Sequence, residues 1–190
     1  IMIVIASDHG GILAMNANGF LDPNGGGDGS QLAGWCMAQG ETHGYHFGGD
    51  VYQRIELSEN GLDCRIVPAS APVGEGTYNA VEFTPVLIRD GEKIEDSFWM
   101  GEQPRACFGT GDQGVYMLII EGRYPDEGIR GTSVNTCSDI LLAYGCRNAL
   151  NMDGGSSAIL WYDGEYVTQS SSSFLRYTGG RPLPNAWVYG

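Results

Sequence analysis

An α+β domain, with a mixed but mostly antiparallel β-sheet and few helices, is what this 190-residue sequence predicts. Three observations carry that expectation. Short β-branched or alternating apolar runs recur along the chain between Asp-Gly and Gly-rich turn signals. Glycine supplies 30 of the 190 residues, well above the usual share of about 7%, so turns are frequent. Only one stretch, residues 133–145, joins helical spacing to a start and a stop signal.

Ile1 to Ala6 reads as a strand on its β-branching, or as a helix ending near His9-Gly10-Gly11. Ile12–Asn16 reads as a buried strand, and Phe20–Ser30, with its run of Gly and Asp, as a loop. Strands follow at Val51–Leu57, Cys64–Val67 and Phe83–Arg89, and Asp90-Gly91 turns the last into Glu92–Ile94. Residues 68–82 are rich in Pro, Gly, Ala and Ser and read as a loop. Ala106–Gly109 and Val115–Glu121 form a hairpin about the turn Thr110–Gly114. Gly131-Thr132-Ser133 leads into the helix, where Thr136 and Asp139 have capping-box spacing. Val134, Cys137, Leu141 and Tyr144 mark its apolar face, and Gly145 closes it. A buried strand Ala149–Met152, the sharp turn Asp153-Gly154-Gly155 and strands at Ala158–Tyr162, Glu165–Val167 and Asn185–Tyr189 complete the chain, with a Ser-rich loop at 170–173.

A chain of this length is one ordinary domain, able to bury roughly 70% of its unfolded surface without a metal or disulfide staple. Hydrophobic residues at 42% and aromatics at 11% exclude disorder. No apolar run is long enough to span a membrane. The net charge of −13 argues against a nucleic-acid partner. That charge is uneven, because residues 1–104 hold 4 basic and 15 acidic side chains and residues 105–190 hold 6 and 8. All six basics of the second half are arginines, the residue that grips phosphate or carboxylate with a planar fork. An anionic substrate would therefore be handled there, unless these are ordinary surface arginines. The five cysteines, at 36, 64, 107, 137 and 146, match neither a zinc cluster nor a redox pair.

Asp153-Gly154-Gly155-Ser156-Ser157 is the most informative stretch. Its glycines allow close backbone approach to a ligand. The N–H groups of Gly154 and Gly155 and the hydroxyls of Ser156 and Ser157 suit an anion, with Asp153 as acceptor, nucleophile or base beside them. The same residues also suit a plain Asp-Gly hairpin turn. Glu121-Gly122-Arg123 sets a carboxylate and a guanidinium two apart, on one side of an extended chain, as a shared pocket or a surface ion pair would have them. His43 and His46 lack a third metal ligand in register. Asp22–Asp28 resembles a calcium loop, but Gly26 fills a ligand position and Ala33 stands where Glu is needed.

Pro104-Arg105, Gly109, Glu121-Gly122-Arg123, Gly131-Thr132-Ser133, the helix to Gly145 and Asn151-Met152-Asp153-Gly154-Gly155-Ser156-Ser157 occur in one order. In that order they resemble the phosphodiester glycosidase family, which releases a sugar such as N-acetylglucosamine from a sugar-1-phosphodiester. Ala14–Phe20 and Arg181–Val188 are similar to the family's first and last motifs. The likeness covers most of 12–190 and is weak over 21–82. It implies a bacterial or phage member, a helix rather than a strand at Ile1–Asp8, and family sequence upstream of Ile1. Three positions depart from the pattern: Ala106 stands for Thr, Glu121 for Asp and Ser156 for a third Gly.

The resemblance implies a hydrolase that cleaves the glycosyl-phosphate bond. Arg105 and Arg123 would hold the phosphate. Asp153 would act as nucleophile or base, with Glu121 as second carboxylate. Asn16, Asn151, Gly154, Gly155, Ser156, Ser157 and Arg181 would bind substrate. It also implies a glycan substrate and an extracellular or cell-surface location. No cofactor is expected. One alternative is a non-catalytic module binding an anionic cell-surface glycan. Another is a metal-dependent phosphodiesterase in which Asp153, Glu121 and Asp112 hold a divalent cation such as Ca2+.

Overall fold

The structure is a computed structural model, and it describes residues 2–23, 27–46, 51–61, 63–176 and 178–190. Ile1 and residues 24–26 of the calcium-like loop lie outside them. The chain opens with helix α1 (Met2–Asp8), so the helical reading of the first segment holds. Strand β1 (Leu13–Asn16) follows, then a hairpin of β2 (Trp35–Ala38) and β3 (Glu41–Gly44), β4 (Gln53–Ser58), β5 (Cys64–Pro68) and β6 (Thr77–Phe83). Next come β7 (Val86–Arg89), β8 (Glu92–Lys93), β9 (Arg105–Gly111) and β10 (Gly114–Ile120). Helix α2 (Val134–Ala143) leads to β11 (Cys146–Asn151), β12 (Leu160–Tyr162), β13 (Glu165–Tyr166) and β14 (Ala186–Tyr189).

The strands form three sheets, ordered β13-β12-β1-β14, β10-β9-β11-β7-β8 and β3-β2-β6-β4-β5. Every strand pair described is antiparallel. An α+β domain with few helices is therefore what forms. Alternation along single strands explains how the sheets share cores. On β9, Ala106 and Phe108 point into the main core, while Cys107 points to α2 and packs with Val134, Cys137 and Leu141. On β1, Met15 enters the main core and Ala14 packs with Ala6 of α1 and Trp161. Phe108 stacks on Trp187 of β14 with ring centres 3.9 Å apart, joining two sheets.

Three expectations need correcting, and one element was not foreseen. Residues 68–82 are not all loop, because β6 occupies 77–83 in the middle of its sheet. The β2–β3 hairpin has no counterpart in the sequence reading. The strand expected over Phe83–Arg89 is broken at Thr84-Pro85, where the chain passes from one sheet to another. The N-cap of α2 is Ser133, whose hydroxyl accepts the Thr136 N–H at 3.2 Å. Asp139 is not part of a capping box and pairs with Lys93 at 2.7 Å on the surface.

The third sheet carries a buried charge network on the face turned away from the core. Ile55 and Leu57 face the core, so Arg54 and Glu56 face the other way. Arg54 reaches Glu56 at 2.7 Å and Glu82, its cross-strand neighbour, at 3.4 Å, and it donates to the carbonyls of Ala69 and Ala71. Glu56 also accepts from Arg65, Thr77 and the Gly74 N–H. Burial pushes the Glu56 carboxyl up, but these hydrogen bonds outweigh it and hold it below the ordinary range.

Candidate active site

Asp153 sits on the connection from β11 to β12, which belong to different sheets. The Asp-Gly hairpin reading of this stretch is therefore overturned. Gly155–Ser157 is instead a single 3-10 turn. Its glycines answer to close packing. Gly155 has φ +58°, and a Cβ there would lie 3.1 Å from the Arg123 guanidinium. A Cβ on Gly154 would meet the Pro104 carbonyl at 2.7 Å.

One amide side chain holds this turn in place. Asn16, fully buried at the end of β1, donates to the Asp153 carbonyl at 2.6 Å and accepts from the Ile159 N–H at 3.1 Å. The Asp153 N–H donates to Ala17 O at 3.1 Å. Asn151 is likewise buried and donates to Thr84 O at 2.8 Å. Both asparagines therefore position backbone. Asn18, which the sequence reading passed over, does the same for three other segments. It donates to the carbonyls of Trp35 and Glu82 and exchanges two hydrogen bonds with Asn185.

The Asp153 side chain lines a cavity of about 230 Å³ together with Arg181, Asp22, Tyr52, Phe83 and Phe20. Gly19 borders it, and a Cβ there would stand 4.0 Å from Asp153 Cγ. Burial pushes the Asp153 carboxyl above the ordinary range, and the Asp22 charge adds to this. Ser157, Arg181 and the Gly154 N–H work in the opposite sense. Ser157 Oγ lies near enough to favour the ionised carboxylate, yet it is buried without a hydrogen bond of ordinary geometry. The Tyr52 phenol is raised by burial first and then by the Asp153 charge.

Arg181 is the guanidinium of this cavity. It lies over the Phe20 ring at 4.1 Å and is 3.6 Å from Asp22 Oδ2. Its Nε is buried, and among the described residues it has no hydrogen-bond partner.

The other predicted site residues are placed elsewhere. Arg105 is buried beneath Trp99, and its guanidinium donates to the carbonyls of Thr132, Trp99 and Gly101. It therefore braces the approach to α2, and it does not line the cavity. Arg123 is exposed, packs against Gly155 and donates to Gln103 Oε1 at 3.0 Å. Glu121 accepts the Gln169 N–H at 2.6 Å, and among the described residues no ion pair joins it to Arg123. The N–H groups of Gly155 and Ser157 are spent on Pro104 O and Gly154 O, so the turn does not offer the expected row of donors. Ser156 contributes a carbonyl that accepts from Ser170. Ala106 lies fully in the main core, away from the cavity. Asp112 stands in the β9–β10 turn and Glu121 beyond the opposite end of β10, so Asp153, Glu121 and Asp112 do not converge on a metal. Among the described residues no group of three His, Cys, Asp or Glu side chains is spaced to hold one.

No curated protein sequence is significantly similar to the chain. A solved structure of the zebrafish N-acetylglucosamine-1-phosphodiester alpha-N-acetylglucosaminidase catalytic domain, auto-inhibited by its pro-peptide, superposes with a TM-score of 0.69 at 15% identity. The match covers 100% of this chain and 67% of that one. A hypothetical protein from Synechocystis superposes with a TM-score of 0.58 at 17% identity, over 97% of this chain and 52% of that one. At such identities the likeness is one of fold. The phosphodiester glycosidase family model matches residues 9–189, which takes in β1, the Asp153 turn and Arg181 alike, and the chain belongs to that family.

Proposed function

We propose that this chain hydrolyses a sugar-1-phosphodiester, with Asp153 at the anomeric carbon and Arg181 on the phosphate. The observation that carries this reading is the pairing of a buried carboxylate with an under-used guanidinium in one aromatic-walled cavity. Phe20, Tyr52 and Phe83 suit the apolar face of a sugar ring. A volume of about 230 Å³ suits one sugar unit, so a terminal sugar is the unit removed. N-acetylglucosamine is the first sugar to test, because the family points to it. The substrates are glycans or glycoconjugates of the cell surface or extracellular space, where the protein would act.

The chemistry needs little general-acid help. The leaving group is a phosphate monoester with a second pKa near about 6, so it departs readily at neutral pH. What remains is to stabilise the departing charge and to supply a nucleophile. Arg181 does the first. Ionised Asp153 does the second, by attacking C1 or by taking a proton from the attacking water. Asn16 fixes the Asp153 backbone, and Arg105 and Arg123 brace the elements beside the turn.

The test is release of free sugar from a synthetic N-acetylglucosamine-1-phosphodiester by wild type and Arg181→Gln. Wild type is expected to turn over, and the variant to lose at least about tenfold in kcat/KM with kcat itself reduced, because the departing charge loses its partner. Wild type that binds the diester and releases no sugar would contradict the reading and point to a glycan-binding module.

A further inference from the structure

The cavity holds more negative charge than its proposed task requires. Among the described residues two carboxylates, Asp153 and Asp22, line it against one guanidinium, that of Arg181. Asp153 has a chemical role in the reading above, whereas Asp22 has none. Asp22 stands on the segment after Phe20, where its Oδ1 accepts the Gly27 N–H at 2.6 Å. Its Oδ2 is 3.6 Å from Arg181, longer than a charge-assisted hydrogen bond of about 2.7–2.9 Å. The pair is thus an electrostatic association rather than a hydrogen bond, and among the described residues the buried Arg181 Nε has no hydrogen-bond partner.

A phosphodiester carries one negative charge, which Arg181 can match. The phosphate monoester left after the C1–O bond breaks carries nearly two at neutral pH. Among the described residues no second cation lines the cavity to match the second charge, and Asp22 stands beside Arg181 as a like charge. We propose that Asp22 is a specificity-determining residue of this site, sharing Arg181 so that a monoanionic phosphodiester is held and a dianionic phosphate monoester is expelled. The inference rests on the phosphodiester reading and deepens it. It gives the site a preference for phosphodiesters over phosphate monoesters, the dianionic form that an uncleaved sugar phosphate and the phosphate-bearing product share.

Binding of non-hydrolysable probes tests this without relying on turnover. The probes are a C-glycosidic N-acetylglucosamine methylenephosphonate as its methyl ester, a monoanion, and the same phosphonate unesterified, a dianion. Calorimetric titration at about pH 8.5, where the free phosphonate is dianionic, would compare wild type with Asp22→Asn. Asparagine keeps an oxygen acceptor for the Gly27 N–H, so the segment retains its anchor. Wild type is expected to bind the ester at least about tenfold more tightly than the free phosphonate. Asp22→Asn is expected to shrink that ratio about tenfold, mainly by gaining affinity for the dianion. An unchanged ratio in the variant, or a wild type that prefers the dianion, would overturn the role of Asp22 and leave the phosphodiester reading standing. Failure of both probes to bind either protein would overturn that reading and this inference together.

Discussion

Asp153→Asn is expected to abolish turnover and to raise thermal stability at neutral pH. Loss of the nucleophile or base should cost at least about 10³-fold in kcat. The stability gain follows from burial, which holds the Asp153 carboxyl above its ordinary value of 3.8. A raised carboxyl binds its proton more tightly in the folded state than in the unfolded one. Wild-type stability therefore falls as the pH rises from about the unfolded value through the folded one. The amide variant escapes that loss. Its melting temperature should exceed that of wild type near neutrality, and the two should converge below about pH 4, where the carboxyl is protonated in both states. Wild-type kcat/KM should also decline on the acid side at a pH above the ordinary aspartate range, because the proposed role of Asp153 needs its ionised form. A variant with near-normal turnover, or one less stable than wild type at pH 7, would contradict the assignment.

Arg54→Leu is expected to be the most damaging substitution for the fold. The guanidinium is fully buried between Glu56 and Glu82, both themselves buried, and it satisfies two carbonyls of the loop after β5. Removing it strands Glu82 without a cationic side chain of comparable burial and takes one of two arginines from Glu56. Breaking such a network by deleting one partner costs about 3–5 kcal/mol, since a buried charge is left uncompensated. Denaturant unfolding should show that loss at neutral pH. It should shrink in acid, because Glu56 is held below its ordinary value and its stabilising share is lost as the pH falls through the folded value. An exposed arginine such as Arg147 should tolerate the same change with little effect. A loss for Arg54→Leu no larger than that of Arg147→Leu would show that the network contributes no stability.

The second half of the chain was legible because its strands are short, apolar and bounded by Asp-Gly and Gly-rich turns. Asp153 stood out as a carboxylate at the end of such a strand, and Arg181 through the family likeness. What spacing could not give was the destination of each guanidinium. Arg105 lies in a family motif, yet its donors go to three backbone carbonyls, a fact set by the loop around Trp99. Arg123 has φ +70°, so the extended-chain argument that paired it with Glu121 does not apply at that residue.

The first half hid more. Strand β6 reads as loop because residues 68–82 are rich in Pro, Gly, Ala and Ser, and the burial of Glu82 on it makes sense only once Arg54 is seen directly across the ladder. The β2–β3 hairpin turns on Gln39-Gly40, with φ of 52° and 81°, and Gln gives a weaker turn signal than Asn or Asp. As a result the cavity walls contributed by Phe20, Asp22, Tyr52 and Phe83 came from the region where sequence carried least. These walls are common residue types in ordinary contexts, and only the sheet packing brings them to Asp153.

The central claim is that the bond broken lies between the sugar C1 and oxygen. Hydrolysis of the N-acetylglucosamine-1-phosphodiester in ¹⁸O-labelled water, with mass analysis of both products, tests it directly. Attack at C1 puts the label on the anomeric oxygen of the released sugar and leaves the phosphate unlabelled. Label in the phosphate would mean attack at phosphorus, and Asp153 would then have no anomeric carbon to serve.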